Sequence, residues 1–192
     1  MIATGVEIFS REGYQACSWR RLVELSGAPW GSAYHYFPKG KEQLGVAVIE
    51  RAAQQGVAWI SQSFAGPITA AEGMTTVLRD STQRLCEGNY EAGCPIAIVT
   101  LERGSHSADL TAACSAAFES WRRELAQALE DRGFEPKRAS EIALSTLVVL
   151  EGCLVIGRAS VSTEAFEAGL AMLLIQLGEQ GAALPLPAKS IS

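Results

Sequence analysis

Residues 18–44 read SWRRLVELSGAPWGSAYHYFPKGKEQL. Ser18 carries the short side-chain oxygen that caps a helix N-terminus. Leu22, Val23 and Leu25 then supply an apolar face, and Ser26-Gly27 ends the helix. Pro29 suits the first position of a second helix, where its missing N–H costs nothing. Pro38 and Gly40 punctuate the entry to a third, longer helix. Two short helices joined by a Gly-containing turn of three or four residues make a helix-turn-helix, whose second helix can enter a DNA major groove.

Within that second helix, about 100° per residue puts Ala33 and Phe37 on one side, with Trp30 near them, and Ser32, His35 and Tyr36 on the other. The first set should pack and the second should face outward. Tyr34 falls between, where a phenol can pack its ring and still offer its hydroxyl to a phosphate. Lys39 and Lys41 bracket the next turn, and Lys41 opens a helix whose N-terminal amides favour anions.

On the N-terminal side, Ile2, Val6, Ile8 and Phe9 recur at helical spacing, and Gly13-Tyr14 is a plausible stop. On the C-terminal side, the helix from Lys41 should run to about Phe64 and be broken at Gly66-Pro67. A fifth follows from about Thr69 to Glu87, then a loop over 88–93, a short helix starting at Cys94-Pro95, and an amphipathic helix over 108–131. Gly133 to Pro136 is a helix–helix turn. The last two helices, roughly 137–158 and 163–180, are apolar beyond what one packed face requires, which predicts a partner subunit. The tail 182–192, with Pro185 and Pro187, is predicted to be disordered. No strand pattern or repeat occurs, so the fold class is all-α.

The chain has 192 residues, 48% hydrophobic and 19% charged, with a net charge of -5. Residues 1–45 are locally basic, five cations against four carboxylates (Arg11, Arg20, Arg21, Lys39 and Lys41 against Glu7, Glu12, Glu24 and Glu42). An acidic body would turn this end toward DNA. The longest apolar runs are broken by Ser, Thr, Glu and Gly, which predicts no bilayer span. The absence of a basic-then-apolar leader predicts a cytoplasmic location. Cys17, Cys86, Cys94, Cys114 and Cys153 are odd in number and lack a Cys-x-x-Cys pair, as expected of reduced and mostly buried thiols. With two histidines and no His-Glu-x-x-His, nucleophile elbow or phosphate loop, neither a metal, a cofactor nor an enzymatic activity is expected.

Ile8-Phe9-Ser10-Arg11-Glu12-Gly13-Tyr14, then Ser18, Ser26-Gly27-Ala28-Pro29, Gly31-Ser32-Ala33-Tyr34-His35-Tyr36-Phe37 and Lys41-Glu42-Gln43-Leu44, resemble the TetR family of bacterial transcriptional repressors. Phe37-Pro38-Lys39-Gly40-Lys41 and Gly93-Cys94-Pro95-Ile96 look like its LmrA/YxaF-type subgroup, which extends the resemblance over almost the whole chain. The resemblance implies a three-helix DNA-binding domain over 1–45 and about six helices over 46–181 for ligand binding and dimerisation. It also implies a homodimer on palindromic operator DNA, with the last two helices of each subunit in a four-helix bundle, and release by a small hydrophobic or aromatic effector bound among helices four to eight. Two departures stand out. Family members usually carry a basic stretch before the first helix, and Met1-Ile2-Ala3 leaves that arm and the first helical turn missing, so that either the arm was cut from this chain or minor-groove contacts are absent; Trp30 occupies a place where the family often has a small or polar residue.

The DNA-contact candidates are Ser18, Trp30, Gly31, Ser32, Tyr34, His35, Tyr36, Lys39 and Lys41. Ser18, Tyr34 and Lys41 are expected on phosphates, Ser32 and His35 near base edges, and Tyr36 on either. Trp30 either touches a thymine methyl or closes the turn against Phe37; Ser18 could be a cap alone and His35 a plain surface residue. Effector candidates are Met74, Leu78, Ser81, Leu85, Ile98, His106, Phe118, Trp121 and Leu125, each of which could equally be core. Glu151 could bond an effector or sit at a dimer seam. Interface candidates are Leu147, Leu150, Leu154, Phe166, Leu170, Leu173, Leu174 and Leu177. Cys94, before a proline at a helix start, offers an alternative thiol-sensing mechanism.

Overall fold

The structure, a computed structural model, describes residues 1–103 and 107–178. Among the described residues there are nine helices and no strand: α1 (Ile2–Arg11), α2 (Trp19–Ser26), α3 (Trp30–Tyr36), α4 (Lys41–Ser63), α5 (Ala70–Glu87), α6 (Pro95–Arg103), α7 (Ala108–Glu130), α8 (Pro136–Ser160) and α9 (Glu164–Gln176). The 182–192 tail, expected to be disordered, lies outside the described residues, as does His106.

The helices group into two compact units. The first joins residues 1–57 to 93–121, and the second joins 58–92 to 122–178, in each case for the described residues. In the first unit α1 buries Gly5, Ile8 and Phe9, and Phe9 meets Tyr14 edge-on with ring centroids 5.3 Å apart. Leu44, Val48, Ile49 and Ala52 of α4 and Leu110, Cys114 and Ala117 of α7 complete its buried apolar set. Ser107 caps α7, its hydroxyl accepting the Leu110 N–H at 3.2 Å and donating to the Glu42 carboxylate. The start of α7 is thereby fixed to the start of α4.

In α2 the Ser18 hydroxyl accepts the Arg21 N–H at 3.2 Å, and Gly27 closes the helix in the left-handed region at φ 64°. Leu22 and Val23 are buried, but Leu25, expected on the same face, is 56% exposed. At about 100° per residue the buried face is centred between Leu22 and Val23, and Leu25 lies roughly 110° from that centre. Pro29 stands one residue earlier than expected, as the N-cap of α3 rather than its first residue.

In the second unit Thr69 and Glu72 form a reciprocal capping box that starts α5. Met74, Val77, Leu78, Ser81 and Leu85 form its buried face. Arg132 closes the end of α7, donating to the carbonyls of Ala128 at 2.8 Å and Ile68 at 3.0 Å, with its guanidinium 5.0 Å from the centre of the Phe64 ring. α8 and α9 fold back on each other through the turn after Ser160, and Gly169 lets α9 approach Val149 and Cys153 closely. By length and mean hydropathy, 1.8 over its most apolar 18 residues, α8 would reach across a bilayer. Of that stretch 39% is buried, and Ala139, Ile142, Ala143, Thr146, Leu147, Leu150, Cys153 and Gly157 of α8 belong to the core.

Candidate nucleic-acid interface

α3 is fixed by one small side chain. Ala33 is buried, whereas Gly31, Ser32, Tyr34, His35 and Tyr36 are exposed around it. The outward set expected from angular position is therefore the outward set of the fold. His35 and Tyr36 lie edge to face at 5.2 Å, so the imidazole has an aromatic neighbour at the surface.

Trp30 departs from its expected place near the packing side. It is 43% exposed and lies stacked on Tyr34, with ring centroids 6.3 Å apart and planes 30° apart. Tyr34 in turn leans on Trp19 at 5.7 Å, and Trp19 meets Phe37 edge-on at 6.5 Å. About one helical turn separates Trp30 from Tyr34, which puts their side chains on the same face and opens a stack between them. Trp19, at the start of α2, is the supporting residue that sequence reasoning passed over; its indole N–H is buried without an acceptor.

The cations of the head are largely engaged. Arg21 donates to Glu12 through both terminal guanidinium nitrogens, Nη2 at 2.8 Å, and Arg20 pairs with Glu24 at 2.7 Å. The Glu12 carboxyl is held below its usual range chiefly by the Arg21 hydrogen bond. The Lys41 ammonium sits 4.1 Å over the Tyr14 ring. Lys39 is exposed, while its backbone N–H donates to the Gln43 side chain at 3.1 Å. Ser18 acts as a cap here, and its exposed position leaves it open to a phosphate as well. A groove between α4 and α7, lined by Glu42, Glu50 and Asp109 against Lys39, has the wrong sign for phosphate.

The head is tied down by a residue that no sequence pattern singled out. The Glu102 carboxylate on α6 accepts the backbone N–H groups of Tyr14 at 2.7 Å and Gln15 at 2.9 Å, and its own carbonyl accepts from the Gln15 amide at 3.1 Å. Gly13, at φ 88°, gives that carboxylate room: a Cβ there would overlap it. At the other end of α6, the Gly93 N–H donates to the Ser10 carbonyl at 2.7 Å. Tyr14 and Glu102 lie 88 residues apart in sequence, and only the fold brings them together.

The profile of bacterial regulatory proteins of the tetR family matches residues 1–48. The profile of the LmrA/YxaF-like transcriptional regulator C-terminal domain matches residues 70–171. The chain belongs to the TetR family. It is 31% identical over 163 residues to an uncharacterised HTH-type transcriptional regulator of Mycobacterium tuberculosis, covering 82% of each protein. To the HTH-type transcriptional regulator LmrA of Bacillus subtilis it is 28% identical over 161 residues, covering 81% of this chain and 83% of that one. Its fold is similar to that of the regulatory protein TetR from Rhodobacter sphaeroides, with a TM-score of 0.80 at 20% identity, covering 91% of this chain and 95% of that one.

The family resemblance read from the sequence also implies an effector-binding region. Of the residues expected there, Met74, Leu78, Ser81, Leu85 and Leu125 are buried in the second unit, where Met74 Sδ accepts from the Thr146 hydroxyl at 3.6 Å. Ile98, Phe118 and Trp121 are half-buried and belong to the first unit. Phe118 and Trp121 meet edge-on at 5.9 Å, and the Trp121 indole N–H donates to the Ala53 carbonyl at 2.9 Å. That tryptophan's polar handle already serves the fold.

The residues expected at a dimer interface are placed differently. Leu147, Leu150, Phe166, Leu170, Leu173 and Leu174 are buried within the single chain, while Leu154 and Leu177 are half-buried. The exposed apolar side chains of these helices are Leu144, Val148, Val155 and Ile156 on α8 and Met172 and Ile175 on α9. Glu151 falls on the same α8 row as Leu144, Val148 and Val155, at steps of four, three and four.

All five cysteines are free, and Cys86 alone is not fully buried. Cys94 is buried, its sulfur accepting the Ala97 N–H at 3.5 Å. No group of three or more His, Cys, Asp or Glu suited to a metal occurs among the described residues.

Proposed function

We propose that this regulator is a ligand-responsive repressor acting in the cytoplasm as a homodimer on a palindromic operator. The observation that carries the DNA reading is the outer face of α3, where Ser32, His35 and Tyr36 stand clear of the fold while Ala33 anchors the helix. Two copies of α3 would enter successive major grooves about 34–36 Å apart. Ser18, Tyr34, Lys39 and Lys41 would hold phosphates, and Gly31, Ser32, His35 and Tyr36 would face base edges. Support for a dimer comes from the exposed apolar rows of α8 and α9, which a second copy would cover. On this reading Glu151 lies at the seam rather than on the effector.

A small hydrophobic or aromatic effector would induce release by favouring a state in which the two α3 helices no longer match the operator spacing. Apolar Met74, Leu78, Leu85 and Leu125, with Ser81 as a polar group among them, support that chemistry. A coupling of about 1–3 kcal/mol corresponds to roughly a 5- to 150-fold loss of DNA affinity.

Mobility-shift titrations on DNA upstream of its own gene, over a range of salt, test the DNA reading. Retarded specific complexes that weaken with salt are expected; indifference to that DNA and to every neighbouring promoter would sink it. Thermal-shift screening of flavonoids and antibiotics, paired with operator release, tests the effector reading. Ligands that raise the melting temperature yet leave operator affinity untouched would refute induction.

A further inference from the structure

We propose that Trp30 is a specificity-determining residue: an aromatic plate, held in place by Tyr34 and Trp19, that reads the methyl group of one thymine in each operator half-site. The inference rests on the DNA reading above and names a base that this reading leaves open.

Four observations lead to it. Trp30 is the first residue of α3, the end of a reading helix that contacts base edges. Its ring is not buried to close the turn against Phe37; it is 43% exposed and stacked on Tyr34 at 6.3 Å and 30°. Tyr34 is in turn backed by Trp19 at 5.7 Å, which is itself backed by Phe37 at 6.5 Å. A row of rings, Phe37, Trp19, Tyr34 and Trp30, therefore runs along the head and holds the ring at its end. Nothing crowds the approach from the neighbouring residue, because Gly31 is exposed and a Cβ there would meet only open space.

The chemistry selects the base. Within the major groove the thymine C5-methyl is the apolar group that marks one base, and apolar side chains contact it. The benzo edge of an indole offers no acceptor, and its single N–H makes a poor match to the paired acceptors of guanine. A pre-positioned ring also loses little freedom on binding, so most of the methyl contact is retained as affinity.

Selection from a random-sequence duplex library tests this without the operator having to be identified first. The wild-type chain is expected to enrich a half-site containing one thymine that Trp30→Ala no longer enriches, while the other enriched positions persist in the variant and report that its head is folded. Trp30→Phe, a smaller plate, should keep the thymine preference in weakened form. Replacing that thymine by deoxyuridine in the selected duplex should cost the wild type about fourfold in affinity, the worth of one buried methyl, and Trp30→Ala almost nothing. Equal enrichment of thymine by wild type and Trp30→Ala, or equal loss on deoxyuridine substitution, overturns the proposal and leaves the DNA reading standing. Enrichment of no sequence by the wild type overturns both.

Discussion

At the scale of single residues, Tyr34 divides its two ends between two tasks. Its ring is the middle member of the Trp19–Tyr34–Trp30 stack, while the side chain as a whole is 57% exposed, which suits a phenol that touches a phosphate. Tyr34→Phe keeps the stack and removes the hydroxyl, so affinity should fall about tenfold, the worth of a hydrogen bond to a charged group, on operator and random DNA alike. His35→Ala should instead flatten base preference, and fluorescence anisotropy on both DNAs separates the two. A similar loss on both DNAs from both variants would refute the division. Cys153 gives a prediction on the fold itself. Burial pushes its thiol up to about 11 from the usual 9.0, so as pH rises the unfolded chain releases this proton first. The resulting stability is intact below about pH 9 and is lost between about pH 9 and 11. Melting temperatures should therefore fall over that interval, and less steeply in Cys153→Ala; Cys17 and Cys114, raised by burial as well, add to the decline in the same direction.

At the scale of helices, α6 matters for where its ends are fastened. Glu102 at its C-terminal end satisfies two N–H groups of the α1–α2 turn, and Gly93 before its start bonds Ser10. Glu102→Ala leaves the Tyr14 N–H without its acceptor and exposes the Gln15 N–H to water alone, at a cost of about 1–3 kcal/mol in urea denaturation. Glu102→Gln, which keeps one carbonyl acceptor, should lie between wild type and Ala. Unchanged stability in Glu102→Ala would show that water replaces the carboxylate without loss. Helix limits were legible in the sequence because caps and turns are local chemistry: Ser18, Gly27, Thr69 and the turn over 133–136 each mark an end within a residue or so. Glu102 was not legible, since neither its charge nor its spacing distinguishes it from an ordinary solvated carboxylate. Leu25 misled for the opposite reason, because its spacing from Leu22 fits a helical face while the face that the fold buries is turned toward Val23. The outward face of α3 was legible because so short a helix around a single anchored Ala33 leaves little choice.

At the scale of the whole molecule the decisive question is which side of α8 and α9 a second copy would cover. Periodicity could not answer it, since both helices are apolar nearly all round and Leu147 and Leu150 alternate with Leu144, Val148 and Val155 at the same helical steps. Folding separates them: the first pair is buried within the chain and the second row is exposed, Leu144 at 52% and Val148 at 67%. The two sets should therefore fail differently when changed. Leu147→Ala removes buried methylenes and should cost about 2–5 kcal/mol of stability, with the association state following only as far as the fold is lost. Val148→Glu changes no buried contact within the chain, so an isolated subunit should keep its helicity. In a dimer built on this row, however, the same change puts two like charges into a desolvated seam. Sedimentation velocity should show Val148→Glu as a folded monomer, and a mobility shift should show it bound weakly to operator, because one α3 no longer brings the other with it. A Val148→Glu protein that remained dimeric at the wild-type concentration would place the interface elsewhere. A dimeric protein lost only through unfolding in Leu147→Ala would leave the exposed row as the contact surface.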